Sequence, residues 1–178
     1  MAAAQSAKKV RQATIDQTQI DEAEREMLAP FQNGNGESPY AIHRDLQETM
    51  QKLVGIFRVE ADLQQALQEL EKLNERARRM HVDGSRMFNP GWHLSYDLQS
   101  MLTISEAVTR SALARRESRG AHSRIDYPSL DATWGKQNNV VSSQKGAMML
   151  RQEPVPAMPE ELQKLLADEA EAVAGKGK

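Results

Sequence analysis

Residues 89–120 read NPGWHLSYDLQSMLTISEAVTRSALARRESRG, and this stretch decides the architecture. Beyond the Asn89-Pro90-Gly91 break, Leu94, Leu98, Met101, Leu102, Ser105, Val108 and Ala112 recur on one face at helical spacing. The pattern predicts an amphipathic helix of about six turns ending near Gly120. Upstream, Leu63, Ala66, Leu67, Leu70, Ala77 and Met80 form a second apolar face, opposed by Glu69, Lys72, Glu75, Arg76 and Arg79 and closed by Asp83-Gly84. Further upstream, Ser38 is placed to cap a helix with Pro39 in its first turn. Leu46, Met50, Leu53 and Phe57 carry that helix to about Arg58. Short connections make sequence neighbours spatial neighbours, so the expected fold is mainly α: a spectrin-like antiparallel three-helix bundle with a short β-hairpin and a C-terminal helix.

The remainder arranges itself around that bundle. Residues 1–36 are expected to form a flexible lead-in with a short helix from near Asp16 to just before Pro30. Residues 37–128 make the bundle and end in an arginine- and histidine-rich segment. Residues 129–157 read as an extended segment and a hairpin, with strands at 139–142 and 147–150 across a Gln144-Lys145-Gly146 turn. Residues 158–178 read as a C-terminal helix and a disordered tail, Glu160 and Glu161 suiting the positive end of that helix.

Composition narrows the function. In 178 residues, 23 basic against 25 acidic side chains give a formal charge of −2, which argues against a global attraction to nucleic acid or anionic lipid. No cysteine is present, so disulfides, thiolate metal sites and cysteine nucleophiles are excluded, and a reducing compartment fits. No apolar run is long enough to span a bilayer, and no signal-peptide pattern opens the chain. No glycine-rich phosphate loop, metalloprotease motif or calcium loop is recognisable, His43 and His81 have no ligand-spaced partners, and His93 with Trp92 reads as packing of a helix start, so no metal site is expected.

The chemistry is concentrated between Arg110 and Arg124, where five arginines meet one acid, Glu117, and His122. Arg115 and Arg116 read as a solvated helix C-terminus complementing the helix dipole, with Gly120 as a left-handed cap. Arg119, His122 and Arg124 straddle that cap in a non-helical segment, unpaired by local acids, and are expected to meet another surface.

Asn89-Pro90-Gly91-Trp92, the helix that follows, and Glu117-Ser118-Arg119-Gly120-Ala121-His122-Ser123-Arg124-Ile125-Asp126-Tyr127-Pro128 closely resemble the C-terminal region of the flavoprotein subunit of succinate dehydrogenase and fumarate reductase. Ser38-Pro39-Tyr40, Val54-Gly55-Ile56-Phe57-Arg58 and Trp134-Gly135-Lys136 extend the likeness over roughly Glu37 to Pro156. Ile125 departs from the family, which often has an acid there. The resemblance implies a helical domain that packs on an FAD-binding part and supports succinate–fumarate interconversion, an oxidoreductase role in electron transport and the tricarboxylic acid cycle. It also implies an iron–sulfur subunit as partner and a cytoplasmic position, peripheral at the inner face of a membrane through the complex. The family's FAD-binding and substrate-binding residues lie upstream of the matched region. No catalytic or cofactor-binding residue is therefore expected in this chain, FAD belongs to the parent flavoprotein, and the chain alone is not expected to oxidise succinate. Arg119, His122 and Arg124 then become candidates for docking near the flavin site. The alternative from a different class is a stand-alone helical adaptor without flavin chemistry.

Overall fold

The structure is a computed structural model, and it describes residues 15–165. The expectations for the first fourteen residues and for the tail beyond Leu165 fall outside those residues. Four long helices dominate: α1 (Gln17–Gln32), α2 (Pro39–Leu53), α3 (Glu60–Ala77) and α4 (Pro90–Ala114). Short strands β1 (Phe57–Arg58) and β2 (Ser123–Arg124) pair in parallel. A single 3-10 turn at Trp134–Lys136 leads into the antiparallel hairpin β3 (Gln137–Gln144) and β4 (Ala147–Pro154). Residues 160–165 are helical. The chain divides into two compact units, one made of residues up to Gly55 with Gln64–Glu106, the other of Ile56–Leu63 with residues from Ala107 onward.

In the first unit, Ile42 and Leu46 from α2, Leu70, Leu73 and Ala77 from α3, Met80, and Leu98 and Leu102 from α4 form one buried cluster. The bundle expected from the periodicity is thus present, with three helices sharing one apolar core. The helix ends differ from the sequence reading, each for a local reason. Pro30 lies inside α1, which runs on to Gln32. A proline this near a helix end removes one donor, and the Asn33 N–H still reaches the Ala29 carbonyl at 3.2 Å. The α2 helix stops at Leu53, not Arg58, because Val54 leaves helical geometry (φ −122°, ψ 9°) and the chain extends into β1. Phe57 is consequently 72% exposed on a strand and takes no part in the bundle core. The α3 helix ends at Ala77, and Met80 and Val82 are buried from the connector that follows. Asn89 starts α4: its Oδ1 accepts the Trp92 N–H at 3.1 Å, while its Nδ2 donates to the Asp83 and Ser85 carbonyls, both at 2.9 Å.

In the second unit the hairpin is longer than expected, with register running from Gln144↔Ala147 back to Gln137↔Pro154. Its loop is Lys145-Gly146, with φ of +50° and +81°. Two successive positive φ values are what a type I′ turn needs, and glycine meets that need without steric cost. Among the described residues no helix is long and apolar enough to cross a membrane.

Candidate functional site

The arginine- and histidine-rich segment is built on an acid. The α4 helix ends at Ala114, six residues before Gly120, and Glu117 in the following loop is completely buried. A buried carboxylate is costly unless it is paired and hydrogen-bonded. Glu117 is both: it accepts from Arg115 Nη1, from Arg119 Nε at 2.9 Å and Nη2 at 3.1 Å, and from the Asp131 N–H at 2.9 Å. The Arg119 bonds, reinforced by the Asp131 amide and Arg115, hold its pKa down to about 2 despite the burial. Arg115 also donates to the carbonyls of Trp134 (3.2 Å) and Gln137 (2.8 Å), and its guanidinium lies over the Trp134 ring at 5.4 Å. It ties the helix end to the start of the hairpin and is not a solvated helix-end residue. Arg116 is: it is 59% exposed, 3.8 Å from Glu60 and 5.9 Å from the Tyr127 ring.

Arg124 is the second anchor. Its side chain is fully buried, with Nη1 donating to the carbonyls of Ala112 (3.0 Å) and Leu113 (3.2 Å). These are C-terminal carbonyls of α4 with no onward helical partner, so the guanidinium, not Gly120, caps the helix. Its other edge makes a fork with Asp126, Nε to Oδ1 and Nη2 to Oδ2, both 2.7 Å. The Arg124 bond is the main cause that lowers the Asp126 pKa to about 2. Asp126 Oδ2 also accepts the Glu60 N–H at 2.9 Å, which caps the start of α3. One ion pair therefore closes the end of one helix and the beginning of another.

His122 sits between cations. Its Nε2 lies 3.0 Å from the Arg115 carbonyl and must donate to it, which leaves Nδ1 to accept from Arg58 Nη1 at 2.8 Å. Burial, with Arg58, Arg124 and Arg115 nearby, pushes the His122 pKa below its usual value, so the imidazole is neutral. Arg119 and His122 exchange backbone hydrogen bonds of 2.8 and 3.0 Å across Gly120-Ala121, with Gly120 at φ +56°. Glycine at the first central position of a two-residue turn is the requirement of type II′ geometry.

The expectation that Arg119, His122 and Arg124 lack local acidic partners is thus corrected. Arg119 holds Glu117, Arg124 holds Asp126, and His122 is satisfied by a carbonyl and a guanidinium. Sequence reasoning missed the hub role of Glu117 and the part played by Asp126, although a lone acid among five arginines was a signal. It also missed Arg58, 64 positions from His122, for which no local signal exists.

Between β1 and α3 the chain reads Arg58-Val59-Glu60, and the Glu60 amide is taken by Asp126. Among the described residues no group of three histidine or carboxylate side chains is arranged to hold a metal.

A family profile described as fumarate reductase flavoprotein C-term matches residues 43–165. The succinate dehydrogenase flavoprotein subunit of Coxiella burnetii is 40% identical over 104 residues, covering 57% of this chain and 18% of the relative. The fumarate reductase flavoprotein subunit of Haemophilus influenzae is 32% identical over 151 residues, covering 84% of this chain and 25% of the relative. A chain of the Mycobacterium smegmatis Sdh1 complex superposes with a TM-score of 0.80 at 38% identity, over 88% of this chain and 28% of that one. The chain thus spans less than a third of the length of the relatives it matches. With the profile matching well over half of its residues, the chain belongs to the C-terminal family of succinate dehydrogenase and fumarate reductase flavoproteins.

Proposed function

We propose that this chain works as the C-terminal helical domain of such a flavoprotein, packing on an FAD-binding part and supporting succinate–fumarate interconversion there. The observation that carries the reading is the match over residues 43–165, inside which the Glu117-centred network holds the arginine- and histidine-rich string. In this reading FAD and the reacting carbons belong to the other part. An iron–sulfur subunit accepts or supplies the electrons and sets the peripheral membrane position of the complex. Arg119, His122 and Arg124 act by building a turn of fixed shape at the docking surface; they do not touch substrate.

The test is complementation. The full chain is co-expressed with the Mycobacterium smegmatis Sdh1 flavoprotein cut ahead of the region that matches it. The expected result is a complex of one copy of each that retains flavin and reduces a dye with succinate. A stable, folded chain that never co-purifies with the flavin-binding part would overturn the reading.

A further inference from the structure

The β1–β2 pair has two faces of opposite character. In its parallel register Phe57 lies beside Ser123 and Arg58 beside Arg124, and the Ile125 N–H continues the ladder to the Arg58 carbonyl at 2.9 Å. Side chains alternate along a strand, so Arg58 and Arg124 share the inner face, against the end of α4 and His122. Phe57 and Ile125 share the outer one, and there they are 72% and 62% exposed; Ile56, next in the chain, is 69% exposed. All-parallel sheets have both faces covered, because the crossovers that join their strands lay helices on each side. Here the inner face is sealed by ion pairs and the outer face is open.

We infer that the outer face of the β1–β2 pair, Phe57 with Ile125 and the adjoining Ile56, docks an apolar, carboxylate-bearing surface of the FAD-binding part. The inference rests on the reading above and specifies which surface of this chain makes the contact. Three side chains expose on the order of 350 Å² of apolar area, in the range of the largest patch on a typical monomer, which is often functional. That is well short of the roughly 800 Å² per partner that a stable dimer buries, so a second copy of this chain is a poor occupant. A large partner can cover the patch as one part of a wider contact, and the relatives carry more than two thirds of their length outside the matched region. Arg116, 59% exposed, 3.8 Å from Glu60 and 5.9 Å from the Tyr127 ring, sits at the α3 end of the same pair and favours a carboxylate opposite. The arginines expected to dock are then the support of the docking face: Arg124 and Arg58 point inward and hold the strand whose outward residues make the contact.

The experiment is capture of the full chain by the same flavin-binding part, comparing wild type with Phe57→Asp, Ile125→Ser and Phe88→Asp. Phe88 is 96% exposed in the first unit and controls for the loss of any exposed apolar group. Circular dichroism melts accompany each variant, and Ile125→Ser, which removes apolar area at a residue already 62% exposed without adding charge, serves if Phe57→Asp melts early. The expected result is unchanged melting with capture weakened at least tenfold by Phe57→Asp and at least threefold by Ile125→Ser, and unaffected by Phe88→Asp. Equal capture of all four would overturn this inference and leave the complementation reading standing. Loss through Phe88→Asp alone would move the dock elsewhere. A homodimer that Phe57→Asp dissociates would replace the proposed occupant with a second copy. Failure of the wild type to be captured would overturn the broader reading itself.

Discussion

Replacing Arg124 with alanine tests how the second unit is held together. The guanidinium is fully buried, makes a two-bond fork with Asp126 at 2.7 Å, caps the Ala112 and Leu113 carbonyls, and lies 4.9 Å from the Tyr127 ring. Breaking a buried ion pair by removing one partner costs about 3–5 kcal/mol, because the other charge is left uncompensated. Asp126 is 28% exposed, so water recovers part of its solvation and pulls the estimate down. The two uncapped carbonyls, at roughly 1 kcal/mol each, push it back up. About 4 kcal/mol follows, which corresponds to a fall in Tm of roughly 8–16 °C for a chain of this length. The chain has two tryptophans, Trp92 in the first unit and Trp134 in the second. Urea titration in a Trp92→Phe background therefore reads the second unit through Trp134. Arg124→Lys should recover only a minor part of the loss, since an ammonium cannot make the fork and cap the helix together. Asp126→Asn, combined with Arg124→Ala, isolates the pair energy in a double-mutant cycle. A loss below about 1 kcal/mol for Arg124→Ala would refute the reasoning.

Three further outcomes are expected. Glu117 and Asp126 titrate near pH 2 when folded, below their ordinary range, so the stability they contribute is complete above about pH 4.5 and is lost as pH falls toward 2; Glu117→Gln should flatten that limb of a Trp134-monitored pH titration while lowering stability at neutral pH. His122, pushed below its usual pKa of 6.5, gives the same sign in a higher window: stability declines as pH drops below about 6.5, and His122→Gln, which keeps one donor and one acceptor, should remove that part of the slope. Phe88 holds φ +54° while 96% exposed, so Phe88→Gly relieves left-handed strain with no burial to lose and should raise the Trp92-monitored unfolding free energy by up to about 1 kcal/mol; a lower value would refute the strain argument.

The bundle was legible because its information is local and periodic. Leu46, Leu70 and Leu98 lie on the faces that a repeat of 3.6 residues selects, and Pro39 and Asn89-Pro90 mark helix starts through backbone constraints that hold in any context. The hairpin was legible for the same reason, since Lys145-Gly146 satisfies a turn requirement that can be read from two residues. The arginine-rich segment could be singled out by composition, but its wiring could not be read, because each pairing depends on chain segments brought together only by folding. Arg58 reaches His122 across 64 positions, and the Asp131 amide reaches Glu117 across 14. Helix termini were misjudged where a tertiary contact ended them: α4 stops at Ala114 because Arg124 takes its carbonyls, and Phe57, spaced correctly for the α2 face, leaves it because the chain pairs with β2. By itself the sequence determined which residues are apolar at which period and where the backbone must turn, since those are properties of single residues and near neighbours. Only the tertiary structure decided that Glu117 and Arg124 face inward and Phe57 and Ile125 outward, because the direction of a side chain on a two-residue strand is set by its pairing partner.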